Sequence, residues 1–110
     1  MSYKIYYTDN FEKQLKKLSK KYPSIKNDFQ SLLSSLKTDP RKGQALGKDC
    51  YKIRMSIASK RKGKSGGGRV IYSVKVIANS VYLLSIYDKS EKENIKDSEL
   101  DFLLSKAGLL

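Results

Sequence analysis

Between Cys50 and Tyr87 the chain carries eight Lys or Arg and no Asp or Glu, so chemistry done there is cationic. Apolar residues alternate through the block, as Tyr51, Ile53, Met55, Ile57 and again Val70, Tyr72, Val74, Val76, the period of two that marks half-buried strands. This spacing predicts that the opposite parity faces solvent, with Lys52, Arg54 and Ser56 on one strand and Arg69, Ser73 and Lys75 on the next. On the following strand Ser85 and Tyr87 share parity with Lys89 just beyond it, while Tyr82, Leu84 and Ile86 are expected to cover the helices. Arg54, Arg69, Tyr87 and Lys89 then lie on one side of a sheet, with Lys52 on the same face.

Fixed cations of this kind suit cleavage of RNA by its own 2′-OH. The transition state gathers negative charge on the phosphorus oxygens, and one preorganised donor is typically worth about 3 to 4 kcal/mol there without a metal. General acid and base roles would fall to Lys or Tyr. The plainer reading of Arg54 and Arg69 is a pair of solvated strand residues. With no histidine in the chain, Ser-His-Asp and Cys-His catalysis and the two-histidine route to RNA cleavage are excluded. The single cysteine, Cys50, reads as a small core residue and precludes an intramolecular disulfide. Six of the eleven acids fall between Asp88 and Asp101, mostly around expected helix starts, where they serve the helix dipole. A two-metal centre is not expected, zinc lacks ligands, and no cofactor is expected.

The stretch from Lys60 to Gly68 is a long, glycine-rich connection. With mobile glycines, its Lys60, Arg61, Lys62 and Lys64 are expected to close over a nucleic-acid backbone and give position and affinity rather than base identity. It also reads as a plain solvated connection. Tyr87, on the polar face, is placed to stack a base. Composition agrees: 23 Lys+Arg against 11 Asp+Glu give +12 on 110 residues, a field suited to a phosphate-rich partner. The alternative is a merely soluble basic protein, or one that neutralises an acidic protein.

These residues must be positioned by a small α+β domain spanning residues 1–110. Tyr3 to Thr8 reads as an edge strand. Asp9 or Asn10 is expected to cap a helix with the stripe Phe11, Leu15, Leu18, Tyr22. After Pro23 a second helix carries Ile25, Phe29, Leu32, Leu33 and Leu36 and stops before Asp39-Pro40. A loop through Gly43 and Gly47 leads to strands at about 50–58, 69–77 and 81–87, the last two joined at Asn79-Ser80. Ser90 to Glu93 and Ser98 to Asp101 have the capping-box pattern; they predict a helical turn near Glu91 to Ile95 and a helix through Leu100, Leu103, Leu104 and Ala107, closed by Gly108. Met1 to Tyr7 has no apolar leader run, and Val70 to Tyr87 is broken by Ser73, Lys75 and Asn79. No membrane span is expected, and the cytoplasm is the expected location.

That order of elements, with Tyr51-Lys52-Ile53-Arg54, the run from Lys60 to Tyr72 and the run from Leu83 to Glu91, resembles the RelE/ParE toxin superfamily, nearest its HigB-like branch. The resemblance covers nearly the full chain and is most specific from Tyr51 to Glu91. It implies a RelE-like fold, with the N-terminal strand and helical hairpin packed on a small antiparallel sheet and a C-terminal helix. It further implies the toxin of a bacterial type II toxin-antitoxin module, which cleaves mRNA in the ribosomal A site and is neutralised by an adjacent antitoxin.

By position, Arg69 matches the family arginine that begins the central strand and contacts the scissile phosphate. Lys52 and Arg54 match the basic positions on the preceding strand, and Lys89 lies in the basic patch after the last. Two departures stand out: Ser90 occupies the place of a second arginine in the RelE branch, and Lys96 lies near the place of a C-terminal tyrosine. Tyr87 and Lys89 are therefore the candidates for protonating the leaving 5′-oxygen. The rival within the fold is a ParE-like DNA gyrase inhibitor, and the rival from another class is a non-enzymatic basic nucleic-acid-binding module. An antitoxin is expected to be an acidic segment that folds on contact, either along the basic first helix, Lys13 to Lys21, or over the Arg54/Arg69 face.

Overall fold

The computed structural model describes residues 2–110. Strand β1 (Lys4–Tyr7) leads into helices α1 (Asp9–Lys21) and α2 (Ile25–Thr38), followed by β2 (Gln44–Gly47), β3 (Cys50–Met55), β4 (Gly68–Lys75), β5 (Ser80–Asp88) and α3 (Asp97–Lys106). The strands make one sheet in the order β1-β5-β4-β3-β2. It is mixed: β2 to β5 pair antiparallel, whereas β1 runs parallel to β5. A parallel neighbour needs a long crossover, which here is most of the chain.

Both faces of the sheet are covered. The α1–α2 hairpin buries Phe11, Leu18, Ile25, Phe29, Leu33 and Leu36 against Met55, Val70, Tyr72, Val74, Val81, Leu83 and Ile86. On the other face α3 lays Leu100, Leu103 and Leu104 over Cys50, Ile71, Leu84 and Tyr87. The expectation of a free polar face is therefore overturned: Arg69 and Ser73 are buried. Alternation in β4 predicts one wet and one dry face, but Ile71 on the supposedly wet parity is apolar and takes the C-terminal helix.

A bulge in β5 resets its parity. Tyr72 pairs with Leu83 and Ile71 with Ser85, so Leu84 is an extra residue, and an extra residue turns later side chains to the opposite face. Leu83 and Ile86 consequently both face α1 and α2, while Leu84 faces α3. Of Tyr82, Leu84 and Ile86, only Ile86 covers the helical hairpin as expected.

The bulge is held by α1. The helix cap is Thr8, ahead of the expected Asp9 or Asn10: its hydroxyl accepts from the Phe11 N–H at 3.3 Å and donates to the Leu83 carbonyl at 2.7 Å. Past Leu83, β5 loses β1 as a neighbour. Asn10 Nδ2 then donates to the Leu84 carbonyl at 2.8 Å, and Gln14 Oε1 accepts from the Ile86 N–H at 3.0 Å and Ser85 Oγ at 2.8 Å. Two side chains thus replace the missing strand, satisfying backbone groups that would be costly if left unpaired. At the C-terminal end Lys96 occupies the N-cap position of α3 and Glu91 to Ile95 is not helical. Neither capping-box pattern starts a helix as expected, and β2 formed where a loop was expected.

Candidate functional site

Arg54 pairs with Arg69, and Arg69 with Tyr87, so the three form one row across β3, β4 and β5. The shared face inferred for Arg54, Arg69 and Tyr87 is present. Its solvent access is uneven: Arg54 is exposed, whereas Arg69 is only 5% exposed and Tyr87 6%.

A groove of about 720 Å³ runs along β3 beside α2, lined by Lys42, Lys52, Arg54 and Lys64 with Asp28, Ser31 and Ser35. Asp28 is the one acid on its wall and is already engaged: its Oδ2 accepts from Ser24 Oγ at 2.8 Å and from the Ala58 N–H at 3.1 Å. Lys42 Nζ donates to Ser35 Oγ at 2.9 Å, and Lys52 Nζ to Asn94 Oδ1 at 2.9 Å. The groove is therefore a cationic trough with hydroxyls on its helical wall. Three of the sequence-predicted residues, Lys52, Arg54 and Lys64, meet in it; Arg69, Tyr87 and Lys89 do not line it.

Arg69 turns its guanidinium onto main-chain oxygens. Nη1 donates to the carbonyls of Lys64 at 3.1 Å and Gly68 at 2.9 Å, and Nη2 to that of Ser65 at 3.3 Å. The basic loop is thereby fastened from within. Gly66 and Gly67 serve close approach rather than mobility: a Cβ on Gly67 would stand 2.2 Å from the Met55 carbonyl oxygen, and one on Gly66 would stand 2.6 Å from Lys62 Cβ. Arg61, Lys62 and Lys64 are exposed on this fixed loop.

Lys60 departs from the expectation of a phosphate contact. Its ammonium lies 2.6 Å from Asp88 Oδ1, with the side chains 8% and 0% exposed. Asp88 also accepts from the Tyr22 hydroxyl, the Ser90 N–H at 3.0 Å and Ser90 Oγ at 2.8 Å. Burial works against its charge, yet the bonds from Lys60, Tyr22 and Ser90 prevail and hold its carboxyl well below the usual carboxylate range. The acidic stretch that Asp88 opens suggests a helix start; its place as the last residue of β5, paired with Gly68, buries it instead.

Tyr87 is displaced from the stacking role foreseen for it. Its ring lies under Lys92 Nζ, 5.1 Å from the ring centroid, and its hydroxyl is buried without a hydrogen-bond partner. Burial raises its pKa, and Arg69 opposes that shift. Lys92 pairs with Glu99, tying the segment after β5 to α3. Lys89 is half-buried at the turn, where its N–H donates to the Gly67 carbonyl at 3.1 Å.

A mixed five-stranded sheet with a helical hairpin on one face, a short helix on the other and a cationic trough along β3 defines a small α+β domain. The family described as RelE toxin of the RelE / RelB toxin-antitoxin system matches residues 3–110. The chain belongs to that family.

Solved structures of similar fold include a mutant of the E. coli toxin RelE in the free state, at 20% identity and TM-score 0.62, covering 98% of this chain and 96% of that one. The intact E. coli RelBE toxin-antitoxin complex matches at 22% identity and TM-score 0.62, covering 79% and 96%. The RelBE2 toxin-antitoxin complex from Mycobacterium tuberculosis matches at 16% identity and TM-score 0.59, covering 80% and 92%. Among the described residues no helix is long and apolar enough to cross a membrane.

Proposed function

We propose that the protein is a ribosome-dependent mRNA endoribonuclease that cleaves by 2′-OH attack without a metal, neutralised by a cognate antitoxin. The observation that carries this reading is the trough along β3, where Lys42, Lys52, Arg54 and Lys64 line one groove whose only acid is already hydrogen-bonded. A polyanionic strand laid there meets fixed cations, which is what a phosphoryl transition state requires. Arg54 and Lys52 contact the scissile phosphate first. Arg69 joins them by exchanging loop carbonyls for phosphate oxygens, an exchange favoured by the stronger hydrogen bond to a charged acceptor. As the 2′-oxygen bonds to phosphorus its proton passes to solvent water, and protonation of the departing 5′-oxygen falls to Lys52, which lines the groove, rather than to the buried Tyr87 or to Lys89. Within the superfamily we place the chain nearest the HigB-like branch, on Tyr51 to Arg54, the run from Lys60 to Tyr72 and the run from Leu83 to Glu91 together.

The test is to induce the protein, map mRNA ends on translating ribosomes, and measure gyrase supercoiling alongside. Fragments with 5′-OH ends, formed in excess EDTA while ribosomes are kept intact by other means, are the expected result. Fragments with 5′-phosphate ends, or loss of supercoiling with whole mRNA, would overturn it; the latter outcome favours a gyrase poison. Binding to the product of the neighbouring gene tests the antitoxin part.

A further inference from the structure

Asp88 is wholly buried, and its two carboxylate oxygens gather bonds from the C-terminal cap of α1, Tyr22, from the start of the basic loop, through Lys60, and from the turn after β5, through Ser90. Its backbone pairs with Gly68, and the next residue donates to Gly67. One residue therefore grips both ends of the loop, Lys60 where it leaves the short helical turn Ala58–Lys60 and Gly67-Gly68 where it enters β4. Between the grips, the carbonyls of Lys64 and Ser65 sit on Arg69, and Lys64 reaches the groove. A buried ion pair is weak evidence for stability, since apolar replacement is often neutral or better. A geometric task explains it more directly.

We propose that Asp88 is a positioning residue: by clamping both ends of the loop it sets where Lys64 meets an RNA strand in the groove. The inference rests on the reading of the groove as an RNA site. Asp88 touches no substrate itself. Its effect is relayed through Lys60 and the loop, so its loss leaves the cations present but misplaced.

Asp88→Asn keeps the shape and removes the charge. In limited trypsin digestion, cleavage after Arg61, Lys62 and Lys64 should accelerate by about ten- to a hundredfold, while thermal unfolding stays cooperative. A 2′-O-methyl oligouridylate, which offers no attacking hydroxyl, reads the groove. In the wild-type background Lys64→Ala should flatten the log K against log salt slope by about 0.7, and in the Asp88→Asn background by nothing. Tyr22→Phe, which leaves the Lys60 pair intact, should behave as wild type in both assays.

Should Asp88→Asn fail to fold, the charge-neutral double variant Lys60→Met/Asp88→Asn carries the same expectations. Wild-type trypsin rates at the loop, or an equal Lys64 contribution in both backgrounds, would overturn the proposal. If the wild-type protein does not bind the oligonucleotide, the RNA reading of the groove fails, and the digestion alone decides whether the clamp exists.

Discussion

Arg54 and Arg69 stand opposite each other across β3 and β4, yet the first is open to solvent while the second holds three main-chain carbonyls. Two arginines in one row thus serve the site from different starting states. Arg54 is available to a ligand at once, whereas Arg69 must release the loop.

The two should separate on mutation. Arg54→Ala should change stability by no more than about 0.5 kcal/mol, as for other exposed positions, and lower cleavage. Arg69→Ala should cost about 1 to 3 kcal/mol of stability by stranding the buried Gly68 carbonyl and releasing the loop, and slow cleavage by roughly 30- to 1000-fold. Urea unfolding beside ribosome-bound cleavage assays checks both. Equal stability of the two variants would contradict the buried placement of Arg69.

Lys60 and Lys62, neighbours in a basic run, should behave as unlike residues. Lys60→Ala leaves the Asp88 carboxylate buried and unpaired, at a cost of about 3 to 5 kcal/mol. Lys62→Ala should leave the unfolding midpoint where it is, weaken RNA binding and flatten its salt dependence. Thermal melts and salt titrations distinguish them.

The pH dependence of stability should carry the mark of Asp88. Its folded pKa is depressed, so the unfolded chain binds the proton more readily and the contribution is complete above the unfolded value, about 3.9. As pH falls below that range and toward the folded value, the contribution is lost. Urea midpoints measured from neutral pH into acid should fall less steeply for Asp88→Asn than for the wild type.

Gly67→Ala should destabilise the protein by about 1 to 3 kcal/mol, because the added methyl meets the Met55 carbonyl oxygen and forces backbone to shift. Gly63, where a Cβ meets nothing within 4 Å but φ is +63°, should cost only about 1 kcal/mol on the same change. Differential scanning calorimetry of the pair tests whether the loop is packed or free.

The helical hairpin and the sheet strands were legible because their periodicity is local: Phe11 to Tyr22 and Tyr51 to Met55 report their own burial. What escaped was non-local. Whether Arg69 is wet depends on α3 and on loop carbonyls up to five residues away. Whether Leu84 faces in or out depends on a bulge that Asn10 and Gln14, more than seventy residues earlier, make tolerable. Asp88 looked like one acid among several in an acidic tail, and only the fold brings Tyr22 and Lys60 to it. The exposure of Arg54 was legible because local alternation alone sets it on an outer strand, whereas Lys52 is half-buried beside Asn94, a contact only the fold supplies.

Because β1 lies beside β5, the earliest strand to be synthesised is the last to find its neighbour. Thr8 bonds to Leu83, 75 residues on, and translation adds about 5 to 20 residues per second. For several seconds the unfinished, strongly basic polypeptide has neither its sheet edge nor the carboxylate that anchors its loop, while it sits on a particle made largely of RNA. A nascent chain interrupted before Asp88 would lack the anchor, the completed fifth strand and the covering helix together. The sheet is thereby closed only once Asp88 and the helix after it have been made.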